Sequence, residues 1–586
     1  MLLHVLILYR EKIMRNQHLS SSPSFREQCI KDHVNTTSWT FASPPIRNKD
    51  ISINTALFWR DRLIEAGMIL SMALYYIVAN PRVTLNRFLH LSFLSSLSHL
   101  NPLFSLPFLL VFAILCWYRL PFAVALLPFS LPYYLIQKVV FSYHGRDFAF
   151  SLVEVTLTVC LVVALLQLTF KRRDWPYWLS WSDLRDRIGP FLWPILIFFA
   201  AAAFSIVIAY AHTTALRSFH EEVLAPLLFL VLALACLRTR SDLTRLLAAL
   251  LGSALVISLM AIVQYLFFKN TLVLESDGIR RVHTVYGSAN SIGLLLDYTF
   301  PLGLAWLLMC RSWRMRLIAA AVCLPLLLAL YLSQSHGAWI AITVAGLFII
   351  ALNIRNRKLL LIGGLAIVIG LLVLIVAFPA TFDFIFQGHT NASGVSTLSR
   401  RLYLWESAWN MIRDYPWFGV GMDNWLCYYS NNPICNAHKL HYWVVNYPPN
   451  KATDTGLRDE PTLSHPHNIF LHVWASMGIF GLLAFITVLI LFYRLFVRIL
   501  YRLRYALFEQ REQLRWMTVG VGAAMLAGLV QGLGDSAFLE QDLAFCFWML
   551  VTALMLIRVL SSTSWHSQKG IPWDELPTRK FSVVKS

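Results

Sequence analysis

Long apolar runs, separated by short polar segments, fill the chain from about residue 63 to residue 560. Many runs reach the roughly 18–20 residues that a helix needs to cross the hydrocarbon core of a bilayer. We predict an all-α, polytopic membrane fold with about fourteen spans (a range of 12–14). The predicted spans are 63–80, 101–117, 120–137, 148–170, 190–211, 222–237, 245–268, 289–309, 316–333, 336–353, 358–378, 467–493, 515–535 and 540–560.

The polar segments divide this bundle into five parts. Residues 1–62 are polar and basic and predict a cytoplasmic tail. The other parts are an N-terminal group of spans (63–268), a central core (269–495), a last pair of spans with a basic loop (496–560) and a second cytoplasmic tail (561–586). Within the core, segment 379–466 is too long for a simple connector, and such length is usually functional.

Composition and charge give the predicted bundle an orientation. The chain is 58% hydrophobic and 14% charged, whereas soluble domains have about 25% charged residues. The net charge of +18 is compatible with nucleic-acid binding, but most Lys and Arg lie in alternate short loops, as membrane topology requires. We therefore predict a multi-pass protein of the cytoplasmic membrane that binds lipids and no nucleic acid. Both termini are expected in the cytoplasm, and loops 269–288, 333–336 and 379–466 on the outer side.

Two arginine pairs lie in these outer loops, against the topological bias. Arg280 and Arg281 occur in the first loop, and Arg400 and Arg401 in the long one. The guanidinium fork matches the oxygens of a phosphate, which predicts an anionic ligand. For the first pair the alternatives are lipid-headgroup contact or a salt bridge to Glu275.

The second pair begins a predicted amphipathic helix. Apolar residues at 402, 405, 408/409 and 412 keep helical spacing, so we expect this helix to lie on the membrane surface. Its arginines suit an anionic headgroup, although simple snorkelling of the side chains is the alternative.

The short outer turn from Ser333 to Gly337 contains hydroxyls and an imidazole, at Ser335 and His336. Such groups can bind a polar substrate. Capping of the next helix by the hydroxyls is the favoured interpretation when this turn is considered alone.

The segment His465-Pro466-His467-Asn468 begins a long apolar helix at the end of the long outer loop. Proline suits a first helical turn, Asn468 can hydrogen-bond locally, and His467 can accept a proton from a sugar hydroxyl near neutral pH. A metal site with Asp459 and Glu460 is a minor alternative, because the spacing matches no strong metal signature. We predict no metal and no cofactor.

Two of the nine cysteines, Cys427 and Cys435, also lie in this loop. If the loop is extracytoplasmic, a disulfide between them and two free thiols are equally compatible with the sequence.

Three stretches together resemble the O-antigen ligase and polymerase superfamily. The late family pattern, His-Asn followed by Gly-x-x-Gly, is matched by His467-Asn468 and by Gly478 and Gly481. The loop pattern is matched by Arg401, Trp405, Pro416, Gly419 and Gly421, and the earlier Arg/Asn pattern by Arg281 and Asn290. The similarity covers about 270–495. The family commonly has Ser-x-Ser-Arg where this chain has Ser333-Gln334-Ser335-His336. His336 therefore stands in place of an arginine, and its imidazole carries the same positive charge only when it is protonated.

This resemblance implies a metal-independent glycosyl transfer from an undecaprenyl-diphosphate-linked glycan to an acceptor hydroxyl. It implies that Arg281 and Arg401 hold the diphosphate and that His467 orients or deprotonates the acceptor. A polymerase of the same superfamily is the first alternative, and a transporter of lipid-linked glycans the second. A transporter would need ionisable residues deep in the spans and paired broken helices. The charged features cluster instead at one face, which favours surface chemistry.

Overall fold

The computed structural model describes residues 48–80, 100–143, 146–170, 181–274, 279–354, 397–429, 464–504 and 508–567. The predicted span 358–378 and most of loop 379–466 lie outside these residues. The chain divides into two units, Met1–Ile64 and Glu65–Ser586. The described part of the first unit is the beginning of a helix, and the second unit carries everything discussed below.

The elements are numbered here in chain order. The helices are α1 (Asn48–Ile77), α2 (Leu106–Tyr118), α3 (Leu120–Leu126), α4 (Leu152–Phe170), α5 (Trp181–Ile188), α6 (Leu192–Ile208), α7 (His212–Ser218), α8 (Ala225–Cys236), α9 (Arg240–Phe267), α10 (Ala289–Met309), α11 (Trp313–Ser333), α12 (His336–Asn353), α13 (Thr397–Asp414), α14 (Trp425–Tyr429), α15 (Ile469–Arg502), α16 (Phe508–Gly532) and α17 (Gln541–Ser567). A π-helical turn, Phe219–Leu224, joins α7 to α8. Two antiparallel pairs of short strands complete the fold: β1 (Lys138–Tyr143) with β2 (Arg146–Phe150), and β3 (Val273–Leu274) with β4 (Arg280–Arg281).

The all-α membrane fold is confirmed. Ten helices in the described residues are long and apolar enough to cross a bilayer, and they correspond to predicted spans four to ten and twelve to fourteen. The count of fourteen is not confirmed. The predicted spans 101–117 and 120–137 contain only shorter apolar helices, Leu103–Tyr118 and Leu120–Tyr133.

The predicted span 120–137 ends early for a local reason. Regular α-helix stops at Leu126, a 3-10 helix follows from Leu127 to Tyr133, and strand β1 begins at Lys138. Pro128 and Pro132 lie in that stretch, and a proline removes an N–H donor from the helical ladder. The sequence patterns did not reveal the hairpin β1–β2.

Helix α17 is central to the bundle. In its most apolar stretch 83% of the residues are buried, compared with 33% in the span that contains α6. Helices α10 and α16 approach closely through glycines: a Cβ added at Gly520 would lie 3.2 Å from Ala305, and one at Gly528 2.7 Å from the Tyr298 ring. Close backbone approach at small residues is how helices associate in lipid.

Helix α15 is broken at Gly478, whose backbone (φ 70°, ψ −171°) is not helical. The broken turn leaves carbonyls that segment 416–421 satisfies: Val420 N–H donates to the Ala475 carbonyl (2.7 Å) and Gly421 N–H to the Ser476 carbonyl (3.1 Å). In the other direction, Ile479 N–H donates to the Pro416 carbonyl (3.0 Å). We call this exchange of backbone hydrogen bonds the clasp.

The clasp requires glycines on both sides. A Cβ at Gly478 would lie 2.0 Å from the Trp417 carbonyl oxygen, and one at Gly419 2.4 Å from that of Ala475. Both glycines also have positive φ, which residues with a side chain rarely adopt. The glycine patterns of the two sequence stretches therefore describe one contact.

Helix α13 confirms the predicted helix and part of its predicted apolar face, since positions 408 and 412 are buried. Its buried residues are Leu404, Ala408, Met411 and Ile412, which pack with Trp425 and Ala475 in one cluster. Leu402 and Trp409, which were predicted on the apolar face, are about half exposed. The reason is that the helix carries two apolar stripes, and only one of them packs against protein. The other remains available for lipid, as a surface helix requires.

Replacing Gly478 by alanine should destabilise the folded protein strongly. The new Cβ meets the Trp417 carbonyl, and the backbone conformation is one that only glycine adopts readily. We expect a loss of about 3 kcal/mol or more in the free energy of unfolding. Thermal unfolding followed by size-exclusion chromatography in detergent would measure it.

The matched control is Gly346→Ala in α12. The nearest atom to a Cβ at that site is Leu304 Cδ2 at 3.6 Å, an ordinary contact. Equal stability of both variants would contradict the clasp.

Candidate functional site

His467 is the last residue but one before α15, and its backbone is held in an unusual conformation. Its φ is 49°, in the left-handed region where a residue with a side chain is uncommon. The indole N–H of Trp405 on α13 donates to its carbonyl oxygen (3.2 Å). A strained residue that a second element fixes from outside is typical of a functional position.

The His467 imidazole is paired with a carboxylate from the turn between α16 and α17. Its Nδ1 lies 2.6 Å from Asp535 Oδ1, and Asp535 is only 3% exposed. Burial alone would raise the pKa of Asp535, but the charge and hydrogen bond of His467 and the charge of Arg401 outweigh it, and the net pKa is lowered. Asp535 is therefore an anion that orients the ring and leaves Nε2 for chemistry.

Asn468 confirms the expectation that it hydrogen-bonds locally. Its Oδ1 accepts from the N–H groups of Phe470 (3.0 Å) and Leu471 (3.1 Å), which caps α15. Its Nδ2 also donates to the Leu533 carbonyl (3.0 Å). One side chain thus ties the start of α15 to the turn that carries Asp535.

His465 is buried beside His467, with ring centroids 4.6 Å apart. Burial, followed by the neighbouring histidines, lowers its pKa well below the ordinary value, so the ring is neutral at physiological pH. One donor atom from each of His465, His467 and Asp535 lies within 4.8 Å of the other two, a set able to hold a metal ion. The metal site considered from sequence also included Asp459 and Glu460, and these two residues lie outside the described residues.

Glu540, at the end of the same turn, extends the polar site towards the N-terminal half. Its Oε1 lies 3.8 Å from His465 Nε2, and its Oε2 accepts a hydrogen bond from the Tyr134 hydroxyl (3.2 Å). Burial and the charges of Asp542 and Asp535 raise the pKa of Glu540 to about 8. A protonatable group thus lies next to the histidines.

Arg401 lies against this turn from α13. A Cβ added at Gly534 would be 3.5 Å from Arg401 Nη1, and the charge of Arg401 reaches Asp535. Its Nε is buried and has no hydrogen-bond partner among the described residues. The Arg400 side chain lies outside them. The structure therefore brings Arg401 and His467 to one place, and says nothing of Arg400.

Arg281 belongs to a second cluster on the predicted outer loops. Its Nε donates to the Ser333 carbonyl (2.8 Å) and its Nη2 to Asn290 Oδ1 (2.6 Å), so the Arg/Asn spacing corresponds to a direct contact. Arg281 is 7% exposed, whereas Arg280 beside it is exposed. The Arg281 guanidinium thus joins the end of α11 to the start of α10. This structural contact is a reason for its position in addition to the anionic ligand, headgroup and salt bridge considered from sequence.

The turn 333–336 does not cap α12 as the local sequence suggested. Ser335 occupies the N-cap position, but its side chain makes no capping hydrogen bond. Its hydroxyl lies against Gly293 of α10, where an added Cβ would be 2.7 Å away. The His336 ring is buried next to Trp339, with centroids 5.0 Å apart. Packing against α10 takes the place of capping here.

Cys427 is disulfide-bonded. Cys435 lies outside the described residues, as does Glu275, so the predicted pairing and the predicted salt bridge stay predictions.

Sequence analysis missed Asp535 and Glu540. Asp535 was included in the predicted span 515–535, and Glu540 in the predicted span 540–560. A carboxylate in Gly532-Leu533-Gly534-Asp535, on the same predicted face as His467, was the available signal. It is 68 residues from His467 along the chain, and pattern alone does not pair residues so far apart.

A comparison with protein families finds a match to part of this chain. Residues 320–486 match the family model described as O-antigen ligase. This stretch includes α12, α13, the clasp and His467, and it supports the superfamily that the sequence resembles. This part of the chain is thus similar to an O-antigen ligase domain, within a multi-pass chain whose described residues include ten helices able to cross a membrane. No curated protein matches it.

Replacing Glu540 by glutamine should change how stability depends on pH. A carboxyl whose pKa is raised on folding binds more protons in the folded than in the unfolded state between its two pKa values. Its contribution is therefore lost as pH rises from about 4.5 to about 8. Glu540→Gln should flatten that fall while it keeps an acceptor for Tyr134. The side chain is 27% exposed, so we expect a smaller effect than a fully buried group would give.

The melting temperature in detergent at several pH values would test this. Asp414→Asn, on the exposed end of α13, controls for simple removal of a carboxylate. An unchanged pH profile in Glu540→Gln would contradict the assignment.

Proposed function

We propose, from the O-antigen ligase domain that this chain carries, that it transfers a glycan from an undecaprenyl-diphosphate carrier to an acceptor hydroxyl. The reaction is assigned to the outer face of the cytoplasmic membrane, with both termini in the cytoplasm, because the basic loops alternate with charge-poor ones. The observation that carries the proposal is the His467–Asp535 pair with Arg401 beside it. A base and a fixed cation are what this transfer needs.

His467 is assigned the role of general base. With the Nδ1 proton donated to Asp535, Nε2 has a free lone pair and takes the proton of the acceptor hydroxyl. The acceptor oxygen then forms a bond to the anomeric carbon, and the bond from that carbon to the phosphate oxygen breaks. Asp535 stabilises the imidazolium that results, as a buried carboxylate does in other His–Asp pairs.

Arg401 is assigned to the leaving group. Breaking the bond to phosphate leaves added negative charge on the diphosphate, and a guanidinium in a half-buried position stabilises that charge more than one in water. Its Nε has no hydrogen-bond partner among the described residues and can donate to such an oxygen. Arg281 holds the neighbouring loops through Ser333 and Asn290 and adds positive charge on that face. This chemistry needs a base and cations that the chain itself supplies, so we assign it without a metal.

A purified, lipid-reconstituted protein given an undecaprenyl-diphosphate oligosaccharide would test the activity. Release of undecaprenyl diphosphate that requires an added cell-envelope acceptor, with one glycan joined, identifies a ligase. A ladder of longer lipid-linked glycans without the acceptor identifies a polymerase. Absence of release under all conditions favours a transporter of lipid-linked glycans.

His467→Ala should lower the transfer rate by about 10²–10⁴-fold, because the reaction loses its base. Asp535→Asn should also lower the rate, since an amide carries no negative charge. It therefore orients the ring less firmly and does not stabilise the imidazolium. His212→Ala is the control, a histidine at the start of α7 whose ring contacts the Ile206 carbonyl. Initial rates at saturating donor would measure the effect. Normal transfer by His467→Ala would contradict the assignment of His467 as the general base.

Arg401→Ala should abolish transfer, and Arg401→Lys should restore little of it, because an ammonium is a point charge and lacks the bidentate fork. Arg413→Ala, at the exposed far end of the same helix, should leave the rate unchanged. Full activity of Arg401→Lys would show that any positive charge suffices and would contradict a bidentate contact.

A further inference from the structure

The group formed by His465, His467 and Asp535 has more ligand capacity than the transfer uses. The proposed base needs one nitrogen of His467 and one oxygen of Asp535. His465 has no part in that scheme, yet it is buried against the same ring.

Two buried atoms in this group have no hydrogen-bond partner among the described residues. They are His465 Nδ1 and Asp535 Oδ2. A buried polar atom without a partner is destabilising by about 1–3 kcal/mol, so native proteins usually satisfy it with protein, water or an ion. Two such atoms on neighbouring side chains indicate a ligand that binds both.

We propose that a divalent transition ion of the zinc class binds to His465, His467 and Asp535 and inhibits the transfer. Two imidazole nitrogens with one carboxylate oxygen form a donor set that suits such ions and leaves a coordination position open. Calcium and magnesium prefer sets made of oxygens and fit this group poorly.

The distances allow this coordination with small side-chain movements. Ligand bonds of about 2.0–2.2 Å in a tetrahedral site separate the donor atoms by roughly 3.4 Å. The three donors already lie within 4.8 Å of one another, and the His467–Asp535 pair is 2.6 Å apart. Rotation of two rings about their side-chain bonds covers the difference. The start of α15 and the turn are already joined by Asn468, so the backbone can remain in place.

The inhibition follows from competition for His467 and Asp535. A metal ion requires their lone pairs, and it replaces the hydrogen bond that orients the ring. An ion bound there therefore removes the base. The binding part of the proposal rests on geometry alone, whereas the inhibition part rests on the proposed function.

The two parts can be measured separately on the full chain, purified without a histidine tag and reconstituted in lipid. Binding is read with Co²⁺, whose visible absorption reports nitrogen and oxygen ligands, and by displacement with Zn²⁺. We expect one tight site. His465→Asn should weaken binding at least about tenfold, since losing a ligand exceeds the loss of an outer-shell partner. His212→Asn, outside the group, should change it less than about twofold.

Inhibition is read as the Zn²⁺ concentration that halves each variant's own transfer rate. We expect it to rise at least about tenfold in His465→Asn and to stay unchanged in His212→Asn. A chelator should leave wild-type transfer intact or raise it.

The outcomes are distinct. Absence of a Co²⁺ site, or binding that survives His465→Asn, overturns the metal site whatever the activity. Binding without inhibition overturns the competition. A chelator that abolishes transfer, restored by Zn²⁺, overturns the inhibitory role. Binding that follows the variants as expected, in a protein without transferase activity, supports the site and rejects the proposed function.

Discussion

The backbone exchange at Gly478 is the constraint on which the rest of the site depends. A helix broken inside a bilayer exposes carbonyls that water cannot reach, and each costs several kcal/mol unless protein satisfies it. Val420 and Gly421 provide the missing donors for Ala475 and Ser476. The register of segment 416–421 on the broken helix is therefore fixed by backbone hydrogen bonds, not by side-chain preference. Only glycine at 419 and 478 allows the approach.

That register determines where α13 lies. The segment of the clasp follows α13 directly, so fixing it places the buried stripe of Leu404, Ala408 and Met411 on the cluster around Ala475. The same placement brings Trp405 to the carbonyl of His467 and Arg401 to the turn at Gly534. The charged groups are thus positioned by apolar packing and backbone hydrogen bonds. They need no strong attraction to one another to meet.

Sequence predicted the parts of the fold on which the bilayer imposes a length. Ten spans followed from apolar runs. The end of regular α-helix at Leu126 did not, because prolines can end a helix while the apolar run continues. His467 and Asn468 were predicted because they lie where the long loop is expected to meet the membrane, and Arg401 because it begins a predicted surface helix. Asp535 was missed because it follows an apolar run directly, and because only folding brings it to His467. The buried face of α13 was predicted only in part, because two apolar stripes share the helix and periodicity does not tell which one meets protein.

The arrangement of charges couples the donor to the base. Asp535 remains an anion in a buried position because His467 donates a hydrogen bond to it and Arg401 adds positive charge nearby. A diphosphate bound to Arg401 would partly neutralise the positive charge of this arginine. It would also add negative charge close to the His467–Asp535 pair. In the proposed transfer, that negative charge lies close to the imidazolium that forms when His467 takes the proton of the acceptor hydroxyl, and opposite charges attract. Donor binding at Arg401 and proton transfer to His467 thus support each other.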